Sequence, residues 1–191
     1  MTVRAENDVA LKEWAAIEDA LAGGRLTVLV RKGGIYEQRG DFEVENRAFW
    51  IFPTGWHQNE HELSPEFRAH LGDTPRFPPG EIPLRVHCVV EDAIRVESLE
   101  ALQRLGDLQP FSADTLRSRF EYRGRPYLHV LIVRAYLLPQ PHVIPNTAGY
   151  DGCVSWVRLE APVSTDGAVP ALDDADFARI RTAVLDRLRT D

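Results

Sequence analysis

Tyr127-Leu-His-Val-Leu-Ile-Val-Arg-Ala-Tyr-Leu-Leu138 is the stretch on which the fold turns. Alternation puts Leu128, Val130, Ile132, Arg134 and Tyr136 on one face of a strand. Tyr127, His129, Leu131, Val133 and Ala135 fall on the other. Both sets are mostly apolar, so the strand belongs in the middle of a sheet with cover on both sides.

Shorter strands precede it at Leu26–Arg31, Ala48–Phe52, Leu84–Val90 and Ala93–Val96, the last two parted by Glu91-Asp92. Another follows at Cys153–Glu160. Ser98 and Ser112 each stand where an N-cap would start a short helix, and Ser64-Pro65-Glu66 reads as cap, first-turn proline and first-turn acid. Ala10, Trp14, Ile17 and Leu21 recur at helical spacing, with Asn7 or Asp8 as cap and Gly23-Gly24 as stop, and predict a helix over residues 9–22. Phe177, Ile180, Val184 and Leu188 predict a closing helix over 173–189. Strands outnumber long helices and do not alternate with crossover helices. The chain reads as one α+β domain, 1–191, with a β-rich core over 25–160 and a mixed or antiparallel sheet able to curl into a barrel between N- and C-terminal helices.

At 191 residues and 44% hydrophobic content the chain can bury a real core. No apolar run approaches about 20 residues, so no transmembrane helix is expected. The first residues carry no apolar signal core, and Cys88 and Cys153 are too few for a disulfide scaffold or thiolate metal cage. These features predict a reduced, cytoplasmic protein with no membrane partner and no cofactor, and leave oligomeric state open. The net charge of −7 argues against a globally basic nucleic-acid surface and allows only a local one.

Two strand ends carry the polar groups from which a cleft could be built. Arg31-Lys32-Gly33-Gly34 places two cations beside a glycine pair whose backbone N–H groups can converge on an anion, with Glu37 just beyond. It lacks the spacing of a Walker loop. Pro53-Thr54 leads to His57-Gln58, with His57 the candidate acid–base or hydrogen-bonding group. His57-Gln-Asn-Glu-His61 has the letters of an inverted zincin string, but follows Pro-Thr-Gly with no helical periodicity, so no metal site is assigned. Glu37, Glu43 and Glu45 could face a divalent cation, and they also read as a solvated edge. No lysine stands two residues after an acid, which removes the nuclease class that needs that pair. Arg117, Arg119, Arg123 and Arg125 interleave with Phe120, Tyr122 and Tyr127, a pattern suited to phosphates and stacked bases, or to a helix end whose arginines simply face water.

Four blocks carry a resemblance: Ala10-Leu-Lys-Glu-Trp14, Leu29-Val-Arg-Lys-Gly-Gly-Ile35, Phe52-Pro-Thr-x-x-His-Gln58 and Gly152-Cys-Val-Ser-Trp-Val-x-Leu159. In order and spacing they resemble the bacterial domain-of-unknown-function family eighteen-oh-two, which brings no particular chemistry with it. Gly55 and Trp56 stand where that pattern has tyrosine and glutamate. The order of elements from Ile94 to Leu138 is also similar to PUA-like barrels, including the activating-signal-cointegrator homology domains. Those carry Gly-x-Lys-x-x-Glu-x-Arg beside a nucleic-acid cleft. Here Glu37-x-Arg39 fits, Lys32 lies five residues before the glutamate instead of three, and Val30 takes the glycine's place.

Two functions follow as expectations. The first is a module that binds RNA or another phosphate-bearing ligand through Arg31, Lys32, Gly33, Gly34, Glu37 and Gln58. The second is a small hydrolase or nuclease using His57 with Glu43 or Glu45, with Mg²⁺ as its ion. An enzyme needs His57 in hydrogen-bond reach of its carboxylate or ion, whereas a binding module needs a basic, aromatic-lined surface.

Overall fold

The chain opens on a strand where the sequence predicts a helix. In the computed structural model, which describes residues 5–32, 46–54, 59–68, 80–152 and 154–189 in full and 36–38 and 41–43 for their backbone alone, β1 runs Glu6–Trp14. Only Ala15–Ala22 is helical (α1). The correction has a tertiary cause. Ala10 pairs in parallel with Trp50 on one side and antiparallel with Val157 on the other. A segment held between two strands follows their ladder whatever its helical spacing. Asn7, offered as a helix cap, instead accepts a hydrogen bond from the Val9 amide at 2.9 Å.

After α1 come β2 (Val28–Arg31), the hairpin β3 (Tyr36–Gln38) and β4 (Asp41–Glu43), β5 (Ala48–Thr54) and the single turn α2 (Pro65–Arg68). β6 (Glu81–Val96) is continuous, and Glu91-Asp92 marks a shift in its pairing, not its end. α3 (Leu99–Arg104) and α4 (Ala113–Glu121) are capped by Ser98 and Ser112, whose hydroxyls accept from the amides of Ala101 and Thr115. β7 (Leu128–Pro145), β8 (Trp156–Ser164), β9 (Val169–Pro170) and α5 (Asp174–Leu188) complete the order. The Asp173 side chain caps α5.

The fold is α+β around a mixed sheet in the order β2-β7-β6-β5-β1-β8, with β9 alongside β7. Only the β1–β5 pair is parallel among the described strands. Among the described strands the path is open, with β2 and β8 as its ends, so the sheet does not close into a barrel. β7 is central and buried on both faces, with Leu128, Val130, Leu131, Ile132 and Val133 fully inaccessible. No described helix is long and apolar enough to cross a membrane. Cys88 is a buried free thiol, and Cys153 lies outside the described residues.

Two hydrophobic cores share this sheet. One gathers Phe49, Ile51, Val86, Cys88 and Val90 with Ile17 and Leu21 of α1, Leu102 of α3, Leu116 of α4 and Val184 of α5. The other gathers Ala10, Trp50, Phe52, Ile82, Leu84, Leu138 and Leu159. On β6 both cores take even-numbered residues, and the changeover falls at the irregularity between Leu84↔His142 and Val86↔Leu137. Pro139-Gln-Pro141 lies in the excess on β7, where a proline's missing N–H does least harm to the ladder.

Trp50 is fully buried and donates its indole N–H to the Asn7 carbonyl at 3.2 Å, whereas Trp14 is only half-buried, edge-on to Phe111. Trp50→Ala is therefore expected to destabilise by about 3–5 kcal/mol, and Trp14→Ala by about 1–2 kcal/mol. Urea midpoints at unchanged slope measure both, and the reverse ranking would refute the core assignment.

Candidate functional site

Arg31 ends β2 and Lys32 follows it, and the two side chains leave for different destinations. Arg31 turns inward: its Nη1 donates to the Glu13 carboxylate and lies 3.5 Å from the Lys12 carbonyl. The pair is largely shielded, at 14% and 10% side-chain exposure, so its attraction is weakly screened. Thr54, at the end of β5, donates its hydroxyl to the Glu13 carbonyl at 3.1 Å. Thus the ends of β2 and β5 both attach to the end of β1 at Glu13.

Lys32 points to the C-terminal end of α4. Its ammonium donates to the carbonyls of Phe120 (2.8 Å), Tyr127 (3.0 Å) and Arg125. An ammonium has three donors, and three acceptors meet them. They lie around the end of a helix, whose unpaired carbonyls carry partial negative charge. Lys32 Nζ also lies 4.7 Å from the Tyr127 ring centroid, and the Arg95 guanidinium lies 4.1 Å from the same centroid. Burial, and then the nearby Arg125 charge, hold the Lys32 ammonium below its usual pKa.

Around this anchor the chain turns sharply. Arg123 sits at φ 57°, the only described residue other than glycine with positive φ, and Gly124 follows at 65°. The turn leaves Tyr122 54% exposed, with the Arg123 guanidinium 5.2 Å from its ring centroid. Arg117 stands one turn back on α4, 4.0 Å from Glu121, and Arg95 pairs with Glu97 at 2.8 Å. Three cations, Lys32, Arg95 and Arg123, therefore border two tyrosines, with the Arg125 charge near Lys32, Arg117 one turn back on α4, and Glu97 and Glu121 as paired acids. Arg119 belongs elsewhere: it stacks on Phe111 at 3.9 Å and pairs with Glu62 at 3.2 Å.

The other residues singled out in the sequence divide as follows. Glu37 and Glu43 lie in the β3–β4 hairpin, opposite Phe42 and Tyr36 respectively. Gly33, Gly34, Glu45, His57 and Gln58 lie outside the described residues. His61 sits in a single helical turn, Glu60–Glu62, and no group of three metal-ligating side chains occurs among the described residues.

Among the described residues, Glu18 and His87 are buried titratable groups that the sequence reading did not single out. Glu18 on α1 is fully buried, and its oxygens accept no hydrogen bond among the described residues. Arg85 Nε on β6 is 3.4 Å away, while Arg85 Nη2 reaches Asp19 at 3.1 Å. Burial pushes the Glu18 carboxyl from 4.5 to about 7, against the lowering effect of Arg85. The available signal was position, since Glu18 lies three residues before Leu21, on the apolar side of its helix. His87 is the second. Its Nε2 lies 3.1 Å from Asn7 Nδ2, and because Asn7 Oδ1 already accepts from Val9, the Asn7 amide nitrogen is the donor. The His87 proton then sits on Nδ1, which has no partner among the described residues. Burial lowers the His87 pKa to about 4.

The chain belongs to the family described as Domain of unknown function (DUF1802), which matches over residues 10–183. Among solved structures it is similar to the ASCH protein of Zymomonas mobilis, at 15% identity over 96% of each chain with a TM-score of 0.46. A serine-to-alanine mutant of that protein gives 12% identity over 95% of this chain and 99% of that one, also at 0.46. No curated protein matches the chain.

Glu18 and His87 act on stability with opposite signs. Glu18, raised when folded, contributes stability present below pH 4.5 and lost as pH rises through about 7. His87, lowered when folded, contributes stability present above pH 6.5 and lost as pH falls through about 4. Between about pH 4.5 and 6.5 the two slopes oppose, so urea stability should be nearly flat. Glu18→Gln should leave a rise with pH across that interval, and His87→Asn a fall, each of roughly 2–3 kcal/mol at most. Unchanged pH profiles in both variants would refute these assignments.

Proposed function

We propose that the chain binds a phosphate-bearing ligand, RNA foremost, on the surface formed by the end of α4, the turn Tyr122–Gly124, Lys32 and Arg95. The observation that carries this reading is the Tyr127 ring beside Lys32 and Arg95, next to the exposed Tyr122 and Arg123. In a chain of net charge −7, this concentrates cations and aromatic surface together. Arginine guanidiniums neutralise phosphate oxygens and can grip them bidentately, and aromatic rings offer faces to bases.

Lys32 contributes charge to this surface while its three hydrogens hold α4 in place. Direct phosphate contact falls to Arg95, Arg117, Arg123 and Arg125. The paired carboxylates Glu97 and Glu121 limit how many phosphates the surface can neutralise. Binding should therefore be local and modest, with little tendency to coat long nucleic acid.

Binding of a labelled RNA, measured across a salt series, tests the reading. A log–log slope of about −1 to −3 is expected, far from the value near −10 of an extensive interface. Arg95→Ala with Arg125→Ala should flatten the slope by one to two units at unchanged thermal stability. No RNA binding at low salt, or binding indifferent to both substitutions, would overturn it.

A further inference from the structure

We propose that this surface selects unpaired nucleotides over duplex, with the Tyr122 ring as the platform for a single stacked base; the inference rests on the nucleic-acid reading above. The two tyrosines are not equivalent. Tyr127 is already engaged, with Lys32 and Arg95 over its ring and His129 edge-on at 5.3 Å. Tyr122 is more than half exposed, and the Arg123 guanidinium lies beside its ring. The surface therefore offers one aromatic face for stacking and several cations for the neighbouring phosphates.

The turn that presents Tyr122 is held in a strained form. An arginine at φ 57° adopts a conformation that its Cβ disfavours, and such a residue persists only where its surroundings fix it. Here the fixing contacts come from below. Lys32 grips the carbonyls on either side of the turn, Phe120 before it and Arg125 and Tyr127 after it. The Tyr127 amide also donates to the Arg125 carbonyl at 2.9 Å. The ring is thereby set outward before any ligand arrives, which lowers the ordering cost of binding.

Chemistry then separates two forms of one ligand. A single strand can lay a base on Tyr122, bring the Arg123 guanidinium against it, and place flanking phosphates near Arg125 and Arg95. A duplex keeps its base faces inside its own stack, so it meets only the cations. No described group at the platform is placed to require a ribose hydroxyl, so RNA and DNA strands share the chemistry.

Fluorescence anisotropy at low salt tests this with a single-stranded RNA of about eight nucleotides, the DNA strand of the same sequence, and the blunt duplex of each. Both single strands should bind about tenfold more tightly than their duplexes. Tyr122→Ala should bring the single strands to the duplex level, and Tyr122→Phe should retain the preference. The exposed ring predicts an unchanged melting temperature for both variants. Arg123→Gly, which relieves the positive φ, should melt no lower than the parent and so exclude misfolding of the turn as the cause. Equal binding of single and double strands, unaffected by Tyr122→Ala, would overturn this inference while leaving the charged-surface reading in place. A preference for one sugar exceeding that for single over double strands would also overturn it. Failure of every oligonucleotide to bind would remove both readings.

Discussion

The antiparallel ladder between β6 and β7 is the constraint that shapes the molecule. Two long strands run side by side, and residues of β6 face both hydrophobic cores. A regular strand gives one face to each side, so Ile82, Leu84, Val86, Cys88 and Val90 would all point the same way. An irregularity on β6 itself, between Leu84 and Val86, breaks that parity, so that Ile82 and Leu84 face one core, and Val86, Cys88 and Val90 the other. Trp50 and His87 then meet in one core while Glu18 lies buried against Arg85 on the helical side.

The edges of this sheet are secured by side chains whose partners are backbone or buried charge. Arg31 fastens β2 to β1 through Glu13, and Lys32 fastens the end of β2 to the end of α4. The other lysine does similar work, since Lys12 donates to the carbonyls of Tyr150 and Gly152. Both lysines of a chain that otherwise uses arginine thus gather carbonyls around a point. A planar guanidinium suits carboxylate edges and ring faces, and an ammonium suits several carbonyls arriving from different directions. The residue choice follows the geometry of the acceptors.

What the sequence disclosed depended on the range of the interaction. β7 was legible because its two apolar faces are written in its own alternation. The caps Ser98 and Ser112 were legible because each bonds an amide three residues on. β1 was not legible, since its pairing with Trp50 and Val157 is remote and its spacing imitates a helix. Lys32 stood out as an unusual residue, yet its partners lie 88 to 95 positions away and no local pattern names them. The arginine–tyrosine interleaving after α4 could be read directly, while Arg95, from a different strand, could be added only once β6 and β7 were paired. Glu37 and Glu43 proved to share a hairpin, a matter of backbone pairing that composition alone leaves open.

The two anchored lysines also fix how the cell could adjust this protein. Acyl transfer to a lysine erases its charge, and conjugation of a carrier protein uses the same amine. Here both side-chain amines are bound to carbonyls, and the other permanently charged cations are arginine guanidiniums, which acylation of that kind does not reach. The charge of the α4 surface is in that sense hard-wired. Modifying Lys32 would do more than dim it, because the same event would release the end of α4 and the turn that carries Tyr122.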